Sequence, residues 1–171
     1  MKKFFVGFLC VFFCFMLIAC ENETQLRVAK ISDNTSAMSK DYSIRVVLED
    51  DDRVKDKYVD VQIKANKDNQ KLIFGSENQE KGELVCEKKD YWYNLTYLAS
   101  RAKNEEEVEY KKYQDFGDKI YNFYTDRDCE LKFRVICGKL KTNEQTGEEI
   151  LVLSEDISEE FSLQVQKHDE K

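Results

Sequence analysis

The sequence predicts an all-β protein, a mainly antiparallel β-sandwich with one inserted helix near residues 105–116. Two observations lead to this prediction. Apolar residues recur at every second position in several short stretches, and polar turns separate one stretch from the next. Alternation of this kind is typical of strands with one buried and one wet face, which antiparallel sheets allow. Eight or nine such strands at this spacing favour a sandwich or a barrel.

The strands are predicted as follows, in the order of the chain. A first strand is expected at 26–32. Four stretches alternate clearly, and shorter apolar or mixed runs add four more strands. The clear stretches are 42–48, 59–65, 131–135 and 161–165, and the shorter runs are 72–74, 84–86, 91–99 and 150–153. Polar turns are expected at 50–56, 66–70, 76–81 and 141–148, so each strand has a defined end.

The inserted helix is predicted from its end signals. Asn104 with Glu107 three positions later resembles a capping box, and Gly117 stands where a helix favours glycine at its end. An apolar stripe at steps of three follows the same segment, formed by Tyr110, Tyr113 and Phe116. The alternative for this segment is a charged hairpin loop.

Composition excludes several classes of function. The only histidine, His168, is four residues from the carboxyl end, which leaves no Ser-His-Asp or Cys-His couple and no two-histidine metal site in the core. Six scattered glycines form no phosphate-binding loop. The net charge of −7 and a pI near 5.0 disfavour nucleic-acid binding. We expect no nucleic-acid partner and no cofactor.

The amino terminus has the pattern of an export signal. Lys2 and Lys3 precede an uncharged apolar run at 4–19, and the sequence becomes polar directly after Cys20. The run is shorter than the ~20 residues that span a bilayer. Residues Leu17-Ile18-Ala19-Cys20 resemble the lipobox of bacterial lipoproteins, a resemblance that covers only the first twenty residues.

The resemblance implies cleavage before Cys20 and acylation of that cysteine. Residues 1–19 would then be the signal peptide, 20–25 a lipidated tether and 26–171 a single β-sandwich domain. Two or more acyl chains hold a protein stably on a bilayer. The expected location is the cell membrane or outer membrane, facing the periplasm or the exterior. The alternatives are an ordinary secreted protein and an uncleaved anchor. Loss of Lys2 and Lys3 changes the formal net charge from −7 to −9.

Three cysteines follow Cys20 in the exported part: Cys86, Cys129 and Cys137. The last two lie on one predicted strand, and eight strand residues span about 26 Å, which is too far for a disulfide. A disulfide would therefore join Cys86 to Cys129 or to Cys137; the alternative is three buried thiols. An immunoglobulin-like sandwich is one architecture considered, although the antibody-type spacing of cysteine, tryptophan and tyrosine is absent.

Ten of the fifteen aromatic residues of the exported part lie between residues 91 and 124. Exposed tyrosine and tryptophan are common anchors of binding surfaces. We expect such a surface at Trp92, Tyr93 and Tyr121; the alternative is that a helix covers these rings as part of the core.

A second site considered is the acidic loop of Glu49, Asp50, Asp51 and Asp52. Its carboxylates could hold calcium, but basic residues crowd the loop and no EF-hand spacing is present, so a solvated hairpin tip with no metal is expected.

These observations predict a lipid-anchored envelope lipoprotein with a non-catalytic binding or accessory role, and with a protein or glycan as partner. The alternatives are a small envelope hydrolase that uses a carboxylate pair and a structural spacer.

Overall fold

The computed structural model describes residues 25–36, 41–74, 82–102 and 108–167. The predicted signal peptide, Cys20 and His168 lie outside these residues. Within them, every strand pair is antiparallel. The predicted all-β, mainly antiparallel class is confirmed, while an immunoglobulin-like arrangement stays a prediction.

The first sheet has five strands, and their order across the sheet differs from their order along the chain. The strands, from edge to edge, are β1 (Ala29–Asp33), β2 (Tyr42–Leu48), β8 (Lys119–Thr125), β4 (Gln70–Phe74) and β5 (Gly82–Cys86). The central strand, β8, was not among the predicted strands. It nevertheless alternates, because Phe123 and Thr125 are buried while Asn122 is exposed.

The second sheet is built around one long strand. Its main path runs β10 (Glu149–Asp156), β9 (Cys129–Thr142), β3 (Tyr58–Ala65) and β6 (Tyr93–Asn94); β11 (Phe161–Val165) also pairs with β9, and β7 (Lys111–Lys112) also pairs with β3. β9 is long enough to pair with β11 along its first part and with β10 along its second part. β6 and β7 are only two residues each, so they cover only part of the outer edge of β3.

The core lies where the two sheets face each other. The ring of Phe123 on β8 lies 5.8 Å from that of Phe133 on β9, and both side chains are fully buried. On one side of the sandwich, the amides of Val28 and Ala29 donate to the carbonyl of Ile157, which links the edge of the first sheet to the segment between β10 and β11. On the other side, helix α1 (Leu95–Ala102) contacts both β5 and β3. The sheets are therefore joined along both sides.

The helix prediction needs correction. Residues 108–112 are not helical: 108–110 belong to no element and Lys111–Lys112 form β7, while residues 103–107 lie outside the described ranges. Of the described residues 108–116, only the four of α2 (Tyr113–Phe116) are helical. Gly117 does end this helix, with a φ of 63° that glycine adopts without strain.

The longer helix replaces most of the strand predicted at 91–99, which is therefore wrong beyond Tyr93–Asn94. The first turn of α1 is held by a distant carboxylate, because both the amide and the hydroxyl of Thr96 donate to Asp60 on β3. A cap supplied from another element leaves no local pattern in the sequence, and this explains why the helix was not recognised.

Candidate functional site

A groove of about 450 Å³ opens on the side of the sandwich that α1 closes. It lies between the two sheets and the helices, and its walls come from β3, β4, α1, β7 with the residues just before it, α2 and β8. The apolar part of the lining consists of Val59, Phe74, Leu95, Ala99 and Phe116. A volume of this size falls within the range of ~300–1,000 Å³ found for small-ligand pockets.

The polar part of the lining carries more positive than negative charge. It consists of Thr96, Ser100, Glu109, Lys111, Lys119 and Tyr121. Glu109 is neutralised, since it forms an ion pair with Lys111. The ammonium of Lys119 lies 5.7 Å from the ring centroid of Phe116, and no carboxylate in the described ranges forms an ion pair with it. Among the described residues of the lining, Lys119 is therefore a cation without an ion-pair partner.

Asp60 lies next to the groove, behind Thr96. Its Oδ1 accepts hydrogen bonds from the amide of Val61 at 2.8 Å, from the amide of Thr96 at 3.2 Å and from the hydroxyl of Thr96 at 2.7 Å. Its Oδ2 is buried without a hydrogen-bond partner among the described atoms. Burial raises the pKa of Asp60 to about 7, although the hydrogen bonds from Thr96 and Val61 act in the opposite direction.

The position of Asp60 follows from the gap along the outer edge of β3. β7 pairs with Tyr58 and Val59, and β6 pairs with Gln62 and Ile63, so neither short strand reaches the two residues between them. A buried amide needs an acceptor. The Asp60 side chain supplies one to Val61 and anchors α1 through Thr96 in the same place. Asp60 thus completes the edge of the sheet and one wall of the groove together.

Tyr121 lines the groove from the central strand of the first sheet. Burial raises the pKa of its hydroxyl, and the nearby charge of Asp60 adds to the shift. A phenol is protonated at neutral pH even at its ordinary pKa of about 10, so Tyr121 can donate a hydrogen bond to a ligand.

Trp92 lies elsewhere, on the outward side of the second sheet. The Nζ of Lys64 and the Cζ of Arg134 each lie 4.3 Å from its ring centroid. Both cationic residues alternate along their strands with buried neighbours such as Ile63 and Phe133, and this places them on the outer face. Trp92 is half-buried, and its ring is engaged by these two cations.

Tyr93 packs against the core, and its hydroxyl accepts a hydrogen bond from the amide of Lys88 at 2.9 Å. Its ring meets the exposed ring of Tyr91 edge-on, with 4.9 Å between centroids. Of the three aromatic residues that we predicted as one binding surface, only Tyr121 lines the groove.

Most carboxylates of the acidic loop form ion pairs with basic residues. Arg53 binds the carboxylate of Asp51, and this contact lowers the pKa of Asp51 to about 2. Asp52 pairs with Lys55, and Glu49 pairs with Lys30. No group of three potential metal ligands occurs among residues 25–36, 41–74, 82–102 and 108–167.

All three cysteines of the described part are buried, free thiols. Cys129 and Cys137 both lie on the continuous strand β9, as predicted from the sequence. Burial raises the pKa of Cys86 to about 12, and electrostatic repulsion from Cys129 adds to the shift. Burial likewise raises the pKa of Cys129 and of Cys137 to about 11. The predicted disulfide of Cys86 stays a prediction, and Cys129 is the candidate partner whose charge acts on it.

The groove residues other than Tyr121 were not found from the sequence. Asp60 occupies a position in an alternating strand that reads as solvent-facing, and Lys111 and Lys119 are two of 27 basic residues without a motif around them. A buried carboxylate on the edge of a sheet can be recognised only once the neighbouring strands are known.

The fold and the groove together define an all-β protein with a pocket between two antiparallel sheets. Comparisons with protein-family models, with curated proteins and with solved structures find no match to this chain. In the described part of the chain, no helix has the length and apolar character needed to cross a membrane.

Proposed function

We propose that the chain is a lipid-anchored lipoprotein of a bacterial cell envelope, held at the cell membrane or outer membrane, with a non-catalytic binding or accessory role. The groove beside α1 is its binding site, and a protein or glycan is its partner. The groove is the single observation that carries the binding role, because its volume and mixed lining suit the recognition of an organic group.

The anchor is supported by the sequence Leu17-Ile18-Ala19-Cys20, which resembles a lipobox. Mass spectrometry of the protein purified from membranes tests it. We expect an amino terminus at Cys20 that carries acyl chains, and we expect Cys20→Ser to lose both the acyl mass and the membrane association. An unacylated terminus would overturn the anchor and would leave the groove untouched.

The groove supports a binding role better than the two alternatives. A carboxylate-pair hydrolase needs two facing acids, but Glu109 is the only acidic residue in the described lining, and it is ion-paired with Lys111. Asp60, whose pKa is raised, is fully buried and holds α1 rather than lining the groove. A structural spacer would have no need of a groove of this volume.

Crosslinking in intact cells tests the binding role. Ala99→Trp places an indole in the groove, and we expect it to abolish the crosslinked species that the wild-type protein forms. Gln114→Trp adds the same side chain at an exposed position of α2 and serves as the matched control. An identical crosslinking pattern for wild type and both variants would show that the groove does not bind the partner.

A further inference from the structure

We propose that the groove takes a single-chain amphiphile that ends in a carboxylate. The inference goes beyond the proposed function, on which it rests only in treating the groove as a binding site: it adds a small ligand to the protein or glycan partner named there. It is carried by the apolar floor, by the ammonium of Lys119, which has no ion-pair partner among the described residues, and by the hydroxyl donors around it.

The floor of the groove determines the apolar part of the ligand. Phe74 and Phe116 approach it from β4 and α2, and Leu95 and Ala99 approach it from one face of α1. None of these side chains offers a hydrogen bond, so a chain of methylene groups buries apolar surface there at no polar cost. The groove holds about 450 Å³, in the lower half of the range for ligand pockets, and this size favours one chain over a two-chain lipid.

The charges of the groove determine the polar end. Lys111 is neutralised by Glu109, and the ammonium of Lys119 lies over the ring of Phe116 without a carboxylate partner among the described residues. An anionic head placed at Lys119 gains a charge-assisted hydrogen bond, which is stronger than a neutral one. A cationic head at the same place is repelled by the ammonium of Lys119.

The hydroxyl groups favour the same sign of charge. Tyr121 offers a phenol O–H, and Ser100 is a buried hydroxyl in the same lining. Both can donate to a carboxylate oxygen. The hydroxyl of Thr96 already donates its hydrogen to Asp60, so it helps to hold the wall of the groove and is not available to donate to the ligand.

A photoreactive probe tests the proposal on the full-length protein in lipid nanodiscs. The probe is decanoic acid with a diazirine on its chain, and the competitors are decanoate, decanol and decylamine. We expect crosslinks in the peptides that contain Phe74, Phe116 and Tyr121. Decanoate should compete at least about ten-fold better than decanol, because only decanoate can pair with Lys119.

Variants identify the responsible residue. Lys119→Gln should reduce the preference for decanoate over decanol about ten-fold, while Lys139→Gln, at an exposed position of β9, should leave it unchanged. Ala99→Trp should remove the groove crosslinks altogether.

The outcomes separate this proposal from the proposed function. Equal competition by decanoate and decanol, together with no effect of Lys119→Gln, would overturn the anionic ligand while the groove remained a binding site. Crosslinks confined to peptides outside the groove would overturn the proposal that the groove binds an amphiphile. The proposed function would still be tested separately, by whether Ala99→Trp abolishes the crosslinked species in intact cells.

Discussion

Asp60 on β3 holds the first turn of α1 through Thr96, whose hydroxyl and amide donate to the same carboxylate oxygen at 2.7 and 3.2 Å. The two residues are 36 positions apart in the sequence. Their contact joins the outer edge of the second sheet to the helix that closes the sandwich. Because Thr96 also lines the groove, the shape of the candidate site depends on a buried acid that the ligand does not touch.

The charge state of Asp60 should make stability depend on pH. Burial raises its pKa from 3.8 to about 7, so the folded protein binds this proton more tightly than the unfolded chain does. Its contribution to the free energy of unfolding is complete below about pH 4 and is lost as the pH rises toward 7. Asp60→Asn cannot ionise, so it should gain on the order of 2 kcal/mol relative to wild type between pH 5 and pH 8.

Urea unfolding at pH 5 and pH 8 measures this difference. Asp115→Asn, at an exposed position of α2, is the control, and its difference from wild type should stay constant. If the stability of Asp60→Asn runs parallel to that of wild type over this range, Asp60 does not carry the raised pKa.

The hydroxyl of Thr96 should be needed to keep the Asp60 carboxylate in the interior. Thr96→Val keeps the shape of the side chain but removes one of three donors to Oδ1, so we expect a loss of about 1–3 kcal/mol at pH 8. The loss should be smaller at pH 5, where Asp60 is protonated. Thr96→Ser retains the hydroxyl and should stay close to wild type at both pH values. Equal losses for Val and Ser would mean that the methyl group matters and the hydroxyl does not.

Elements whose pattern lies within their own residues were predicted from the sequence, whereas features that depend on a distant residue were not. β2, β3 and β11 were predicted with nearly their observed ends, because apolar and polar residues alternate along each of them in the sequence. α1 was missed, because its first turn is held by Asp60 on another element. The groove could not be predicted, since its lining comes from separate elements that only the fold brings together.

Trp92 should be coupled energetically to the cations beneath it. Lys64 lies 4.3 Å from the ring centroid on the outer face of the second sheet. A double-mutant cycle with Lys64→Gln and Trp92→Leu, followed by thermal unfolding in circular dichroism, should give a coupling of about 0.5–1 kcal/mol. The same cycle with the exposed Lys139 should give none.

Because Trp92 is the only tryptophan, Lys64→Gln should also shift the fluorescence emission to the red as the ring gains water contact. Zero coupling together with unchanged emission would show that the contact is not maintained in solution.

The thiols should be unreactive in the folded protein. Burial raises the pKa of Cys86 to about 12 and that of Cys129 and Cys137 to about 11, so almost no thiolate forms at pH 8. We expect iodoacetamide to leave all three unmodified until urea unfolds the chain, whereas an engineered Lys139→Cys at an exposed position of β9 should react at once.

Omitting the reductant tests the predicted disulfide. Gln70 pairs in register with Cys86, and the side chain of Gln70 donates a hydrogen bond to Asp126, which lies three residues before Cys129. We therefore expect a disulfide between Cys86 and Cys129. Cys137 should then remain a free thiol that iodoacetamide alkylates after unfolding. A bridge from Cys86 to Cys137 would contradict the proximity of Cys86 to Cys129.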